Sequence, residues 1–356
     1  MTLALCIDTR RWREHHRETL RRFPGLVPVC KGNGYGFGLP RLLREAEALG
    51  PGLLAVGTAF EAAVAQDAYA GDLWVLTPWR EGEAETEAPL SDRVVRTVSS
   101  LDGVRARAGG RVVVKLMSSM RRHGLAEADL PELRALLRGR ECAGFSVHLP
   151  LSRPNGESGA DEVTAWMRRL RAARLPLDTL FVSHLSEDEL ALLRERFPGT
   201  AFRPRMGTRL WLGDPGATGY RSRVLGVRRV TKGERYGTRQ RRASAEGYLV
   251  VVSGGASHGI GLSAPRVLSG LRPRARQLAG ARFTAVNRYL SPFLWDGRRC
   301  RFAEPPDLLE SVLWVPADGT APAAGARLPA LVRYTITRPD HVVDEPEAAE
   351  AGVPGG

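Results

Sequence analysis

Between residues 27 and 205, short apolar runs rich in β-branched residues alternate with amphipathic segments about eight times. The runs are "VPVCK" (27–31), "LLAVG" (53–57), "LWVLT" (73–77), "RVVRTV" (93–98), "RVVVKLM" (111–117), "GFSVHL" (144–149), "TLFVS" (179–183) and "TAFRPR" (200–205). Segments such as "LPRLLREAEALG" and "DEVTAWMRRLRAARL" lie between them and carry helical periodicity. Strand followed by helix, repeated, predicts a parallel sheet with crossover helices. Eight units are the number that closes a (β/α)8 barrel, with an open doubly wound sheet as the alternative the same pattern allows. After residue 215 the character changes. "RVLGVRRV", "GYLVVVSGG", "ESVLWVP" and "RLPALVRYTIT" are β-like and separated by Gly, Pro and charged turns. The expected organisation is a barrel over 1–215, a β-rich C-terminal domain over 216–340, and an acidic disordered tail over 341–356.

With 356 residues and 43% hydrophobic content the chain can build a sizeable core. Its formal charge of +13 raises the question of nucleic acid. The arginines are interleaved with acids, however, so a solvated surface with affinity for small anions is the reading preferred over a nucleic-acid partner. Cys6, Cys30, Cys142 and Cys300 lack C-x-x-C spacing, so no zinc site is expected and the thiols suit a cytoplasmic protein. The apolar stretch in "MTLALCIDTRRWREHH" is too short for a signal peptide, and no run is long enough for a membrane span.

Of 52 basic side chains only Lys31, Lys115 and Lys232 are lysine. An arginine stays charged near neutral pH, whereas a lysine can lose its proton and act as a nucleophile. Lys31 ends a buried-looking strand and opens "KGNGYGFG". The glycines at 32, 34, 36 and 38 give no G-x-G-x-x-G, and the lysine precedes them, which excludes a P-loop. A lysine at the mouth of a barrel strand suits a Schiff base with a carbonyl.

"VCKGNGYGFG" resembles the K-x-N-x-Y-G-x-G motif of the alanine racemase family, with Lys31, Asn33, Tyr35, Gly36 and Gly38 in place. The family is a fold type III pyridoxal-phosphate group, a barrel followed by a β domain. "VVVKLMSSMRRHGL" (112–125) is similar to its K-x-D-T-G-M-x-R-x-G segment, keeping Lys115, Met120, Arg122 and Gly124. The resemblance implies that Lys31 carries pyridoxal 5'-phosphate and that Arg122 bonds the cofactor's phenolic oxygen. Lys115, often carbamylated in the family, would orient that arginine. His148 in "SVHLP" would pack on the pyridine ring, and Ser186 in "SHLSEDEL" would bind phosphate. In "RPRMGTRLWLG", Arg205 would face the pyridine nitrogen, and the N–H groups of Gly207 and Thr208 would hold phosphate. Arginine there leaves the nitrogen unprotonated, which suits proton exchange at Cα.

The resemblance fails where the family's G-Y-A-D-G supplies a second base from the partner subunit. "VVVSGGASHGIGL" (250–262) places Gly255 at the tyrosine position, and "RFAEPPDLLE" lacks the partner's M-D-Q. The family's phosphate tyrosine falls near Thr337, with Tyr334 close by. His258, three residues beyond Gly255, is the candidate replacement for the second base. The resemblance therefore implies a homodimeric racemase of a small amino acid or derivative. Its alternatives are a decarboxylase or lyase of the same fold, or a non-catalytic pyridoxal-phosphate-binding homologue.

Overall fold

The computed structural model describes residues 2–80, 82, 90–106, 109–153, 156–262 and 289–345. It forms two units: Arg13–Gly213, and a second in which the residues through Trp12 join those from Asp214 onward.

In the first unit each apolar run of the sequence is a strand. In chain order after the N-terminal strand β1 (Leu3–Ile7) these are β2 (Val27–Cys30), β3 (Leu53–Val56), β4 (Asp72–Pro78), β5 (Val94–Val98), β6 (Val112–Leu116), β7 (Cys142–Val147), β8 (Thr179–Val182) and β9 (Ala201–Met206). They close into a barrel in sequence order, and β2 pairs in parallel with β9. The expected (β/α)8 barrel is what forms, and the open sheet is not. The reason lies in the side chains that face inward. Val27, Val29, Leu53, Ala55, Trp74, Val95, Val113 and Phe181 fill one core cluster. The indole of Trp74 lies 4.6 Å from the Phe181 ring, and its N–H donates to Thr97 Oγ1 at 2.8 Å. A barrel interior is a packed core, so only its rims are open to function.

Crossover helices include α3 (Ala59–Ala65), after β3, and α7 (Glu187–Arg196), after β8. Both begin with a reciprocal capping box, Thr58 with Glu61 and Ser186 with Glu189. Such a box satisfies N–H groups that a helix start leaves without partners.

The second unit is a mainly antiparallel sheet built on one 13-residue strand, Thr218–Val230. Its first half pairs with β1 and Arg327–Ala330, and its second half with Gly247–Ser253. Two expected boundaries are corrected here. Leu3–Ile7, read as part of the barrel, is a strand of this sheet, because its five consecutive buried residues need neighbours on both sides. His341–Asp344, read as the start of a disordered tail, pairs in parallel with that same strand. The rest of the predicted tail, 346–356, lies outside the described residues.

Candidate active site

The C-terminal ends of the barrel strands surround a cavity of about 360 Å³. Five of the residues singled out by sequence line it together: Lys31, Lys115, Arg122, His148 and Arg205. Lys31 follows β2, Lys115 lies on β6, His148 follows β7 and Arg205 lies on β9. Parallel closure brings them to one rim, although 174 positions of numbering separate Lys31 from Arg205.

Four cations therefore converge, and among the described residues no Asp or Glu lines the cavity. Burial, Arg205 and Arg122 hold the Lys31 amine below the ordinary lysine range, with Glu61 pulling the other way. Lys115 is brought down to about 8 by burial and by Arg205, Arg122 and Lys31. Burial takes Arg205 down to about 10, and its enclosed Nε has no hydrogen-bond partner among the described residues. Its guanidinium carbon stands 5.7 Å from the Trp74 ring centre, a contact with the π face instead of a carboxylate. Burial and Arg205 push His148 down to about 3, so its imidazole is neutral at physiological pH. Ser183 Oγ accepts the Leu149 N–H at 3.2 Å and lies 2.6 Å from His148 Nδ1, which fixes the ring.

Tyr35, Gly207 and Thr208 support this rim without lining the cavity. Tyr35 adopts a left-handed conformation (φ 54°) and is buried. A Cβ on Gly207 would lie 1.9 Å from the Tyr35 hydroxyl, so the phenol closes directly on the glycine backbone. Burial raises the Tyr35 hydroxyl pKa, keeping it protonated. Gly207 precedes the short helix Thr208–Trp211, whose first N–H groups have no partner within the helix.

Two predicted residues are placed differently from expectation. Ser186 is exposed and caps α7: its Oγ accepts the Glu189 N–H at 3.1 Å, and Glu189 returns a bond to the Ser186 N–H at 2.8 Å. That cap uses the hydroxyl lone pairs near the helix, so Ser186 is a helix cap and not a wall of the cavity. His258 is buried in the β-rich unit with both ring nitrogens engaged. Nδ1 accepts the Gly255 N–H at 3.2 Å, which leaves the proton on Nε2, 3.0 Å from Asp340 Oδ1. An imidazole so held has no lone pair to offer as a base. Nor is there room for a side chain at 255, where a Cβ would lie 2.1 Å from the Asp307 carbonyl oxygen. Tyr334, near the expected phosphate tyrosine, accepts the Thr218 hydroxyl at 3.1 Å within that unit.

Sequence reasoning missed Glu61, Ser183 and His123. His123 lines the cavity as an exposed imidazole, and the only signal for it was its place between Arg122 and Gly124.

A closed parallel barrel with a lysine at its C-terminal rim, joined in the chain to a β-rich unit, defines a two-domain barrel enzyme of the lysine-bearing class. The chain belongs to the alanine racemase family: residues 7–204 match the family model described as alanine racemase, N-terminal domain. It is 34% identical over 131 residues to the alanine racemase of Nitratidesulfovibrio vulgaris, a match spanning 35% of each chain. Its fold is similar to alanine racemase from a D-cycloserine producing Streptomyces lavendulae, with a TM-score of 0.68, 20% identity and 97% of each chain covered. It is also similar to alanine racemase from Bartonella henselae with covalently bound pyridoxal phosphate, with a TM-score of 0.67 and 17% identity, over 94% of this chain and 91% of that one.

Proposed function

We propose that this protein is a pyridoxal-phosphate-dependent racemase of a small amino acid, alanine or a close relative. The observation that carries the reading is the rim itself. Lys31, Lys115, Arg122 and Arg205 surround one cavity, with no acid among the described residues that line it, and the Lys31 amine is held below its ordinary pKa. Such a site suits an anionic aldehyde: a phosphate and a phenolic oxygen meet cations, and a partly neutral amine meets the carbonyl. Pyridoxal phosphate, when bound, acidifies the Cα–H of the amino acid it holds.

The chain's own residues then have distinct roles. Lys31 carries the cofactor through Nζ and moves the Cα proton on one face. Arg205 would face the ring nitrogen and, being too weak an acid to give up its proton, would leave that nitrogen neutral. His148 supplies a neutral stacking surface, and Arg122 receives the phenolic oxygen with Lys115 behind it. The backbone N–H groups of Gly207 and Thr208 would hold phosphate, with the Tyr35 phenol packed against Gly207. Arg205 stands where the decarboxylase alternative requires a carboxylate, which favours racemisation.

The reading includes a homodimer and a cytoplasmic setting. Exposed Leu290, Leu308 and Leu309 on the β-rich unit support a second copy, and four free cysteines support a reducing compartment. No helix among the described residues is long and apolar enough to cross a membrane.

The test incubates the purified chain with pyridoxal phosphate, reduces it with borohydride, and maps the modified peptide. Label on Lys31, together with Cα–H exchange of alanine in deuterated water, is the expected result. A chain that takes up no label at Lys31 overturns the reading. Sedimentation should give twice the 38.9 kDa chain mass.

A further inference from the structure

Glu61 lies at the third position of α3, outside the set of residues that the resemblance implicates. Its carboxylate is fully committed to backbone. Oε1 accepts the N–H of Gly32, the residue after Lys31, at 2.6 Å. Oε2 accepts the N–H of Gly57 at 2.6 Å and of Thr58 at 3.0 Å. Gly57 follows β3 and itself lines the cavity. One side chain thus ties the end of β2 to the end of β3 at the point where the lysine leaves the barrel. The packing there is tight: a Cβ on Gly57 would lie 2.6 Å from Glu61 Oε2 and 3.1 Å from the Lys31 Cβ.

A helix cap alone requires only the bonds to the local N–H groups of 57 and 58. The bond to Gly32 crosses to another strand and fixes the peptide that follows the lysine. Charge-assisted hydrogen bonds of this length are about twice as strong as neutral ones. We infer that Glu61 is the positioning residue of Lys31, clamping its backbone against β3 and setting a negative charge near an amine whose other charged neighbours among the described residues are cations. The inference rests on the proposed role of Lys31 as the cofactor-bearing amine. Among the described residues the titratable and charged groups around that amine are Glu61 from α3, Arg205 from β9, Lys115 from β6, Arg122 from the loop after β6 and the neutral His148 after β7. Of these, Glu61 alone favours the protonated form, so it keeps the amine from becoming neutral too early.

The test follows Lys31 itself. The full-length chain, freed of cofactor, is treated with trace acetic anhydride across pH 6–11, and acetylation of Lys31 and Lys115 is read by mass spectrometry. In Glu61→Gln the carboxamide still accepts one N–H but turns its NH2 toward another, and the charge is gone. The expected result is a lower Lys31 midpoint, with about threefold or more faster labelling of Lys31 at pH 7.5, as removal of a nearby opposite charge dictates. Lys115 does not fall with it: relieved of a charged Lys31, it keeps or raises its midpoint. Thr58→Ala, which weakens the cap but keeps the carboxylate, should lower Tm without moving Lys31. An unchanged Lys31 midpoint in a folded Glu61→Gln chain would overturn the inference and leave Glu61 a helix cap. If Glu61→Gln does not fold, Glu61→Asp takes its place, with hydrogen exchange at the Gly32 amide as the readout: exchange no faster than the parent's overturns the clamp. Borohydride labelling of the parent with pyridoxal phosphate is run alongside. Its failure counts against the racemase reading, whereas the midpoint comparison stands without it.

Discussion

A half-buried imidazole whose charge is disfavoured makes stability depend on pH, and His148 is held at about 3 against an ordinary value of 6.5. Below 6.5 the unfolded chain takes up a proton that the folded chain refuses, so stability is lost as pH falls from about 6.5 toward 3. A His148→Asn variant keeps a polar neighbour for Ser183 but removes this titration. Its Tm should fall less steeply than the parent's between pH 6.5 and 4, measured by thermal melts, and parallel curves would refute the assignment. At this scale the sequence was informative wherever a residue's chemistry is unusual for its setting. A rare lysine at a strand end was legible from type and position, and Arg205 from the likeness of its segment to the family's. Glu61 was not, because a glutamate three residues into a helix carries the signature of an ordinary capping box, and its long-range bond to Gly32 exists only once β2 and β3 are neighbours.

At the scale of elements, Ser186 and Glu189 separate local from tertiary information. "SEDE" is a capping signature, and the structure uses it as one. Ser186→Ala should therefore cost roughly 1 kcal/mol of stability, read by urea unfolding, while cofactor affinity stays within twofold of the parent. A selective loss of cofactor affinity would return the residue to the site. The eight barrel strands were legible because each carries its own apolar run and is followed by a helix of opposite pattern. In the β-rich unit the same reading missed Leu290–Trp295, Arg298–Phe302 and His341–Asp344. "RRCRF" and "HVVD" bury little of their length, and what makes them strands is the backbone pairing of their neighbours. The loop at 255–258 shows the same limit: only its packing against 307–310 reveals that position 255 has no space for a side chain.

For the molecule as a whole, the units defined by contact are not the segments defined by sequence order. β1 lies between Thr218–Val230 and His341–Asp344, with all five residues buried. Deleting the residues through Ile7 should therefore damage the far end of the chain. Limited proteolysis of that truncation is expected to cut within 214–345 while Arg13–Gly213 persists as a protected fragment. Equal protection of both units would show that β1 is dispensable.

This placement of β1 also orders events during synthesis. Leu3 leaves the ribosome more than two hundred residues before its partner Ser222, and Cys6 and Ile7 wait longer still for Val343 and Asp344. Throughout that interval the whole barrel is translated, and its contacts run between consecutive strands, which form early. The nascent chain thus carries an apolar strand with neither partner until Thr218–Val230 has emerged, and with one open edge until His341–Asp344 follows. Exposed segments of this kind aggregate or recruit chaperones. The β-rich unit can close only after the barrel has been made, so strands translated after the barrel are needed to shelter one translated before it.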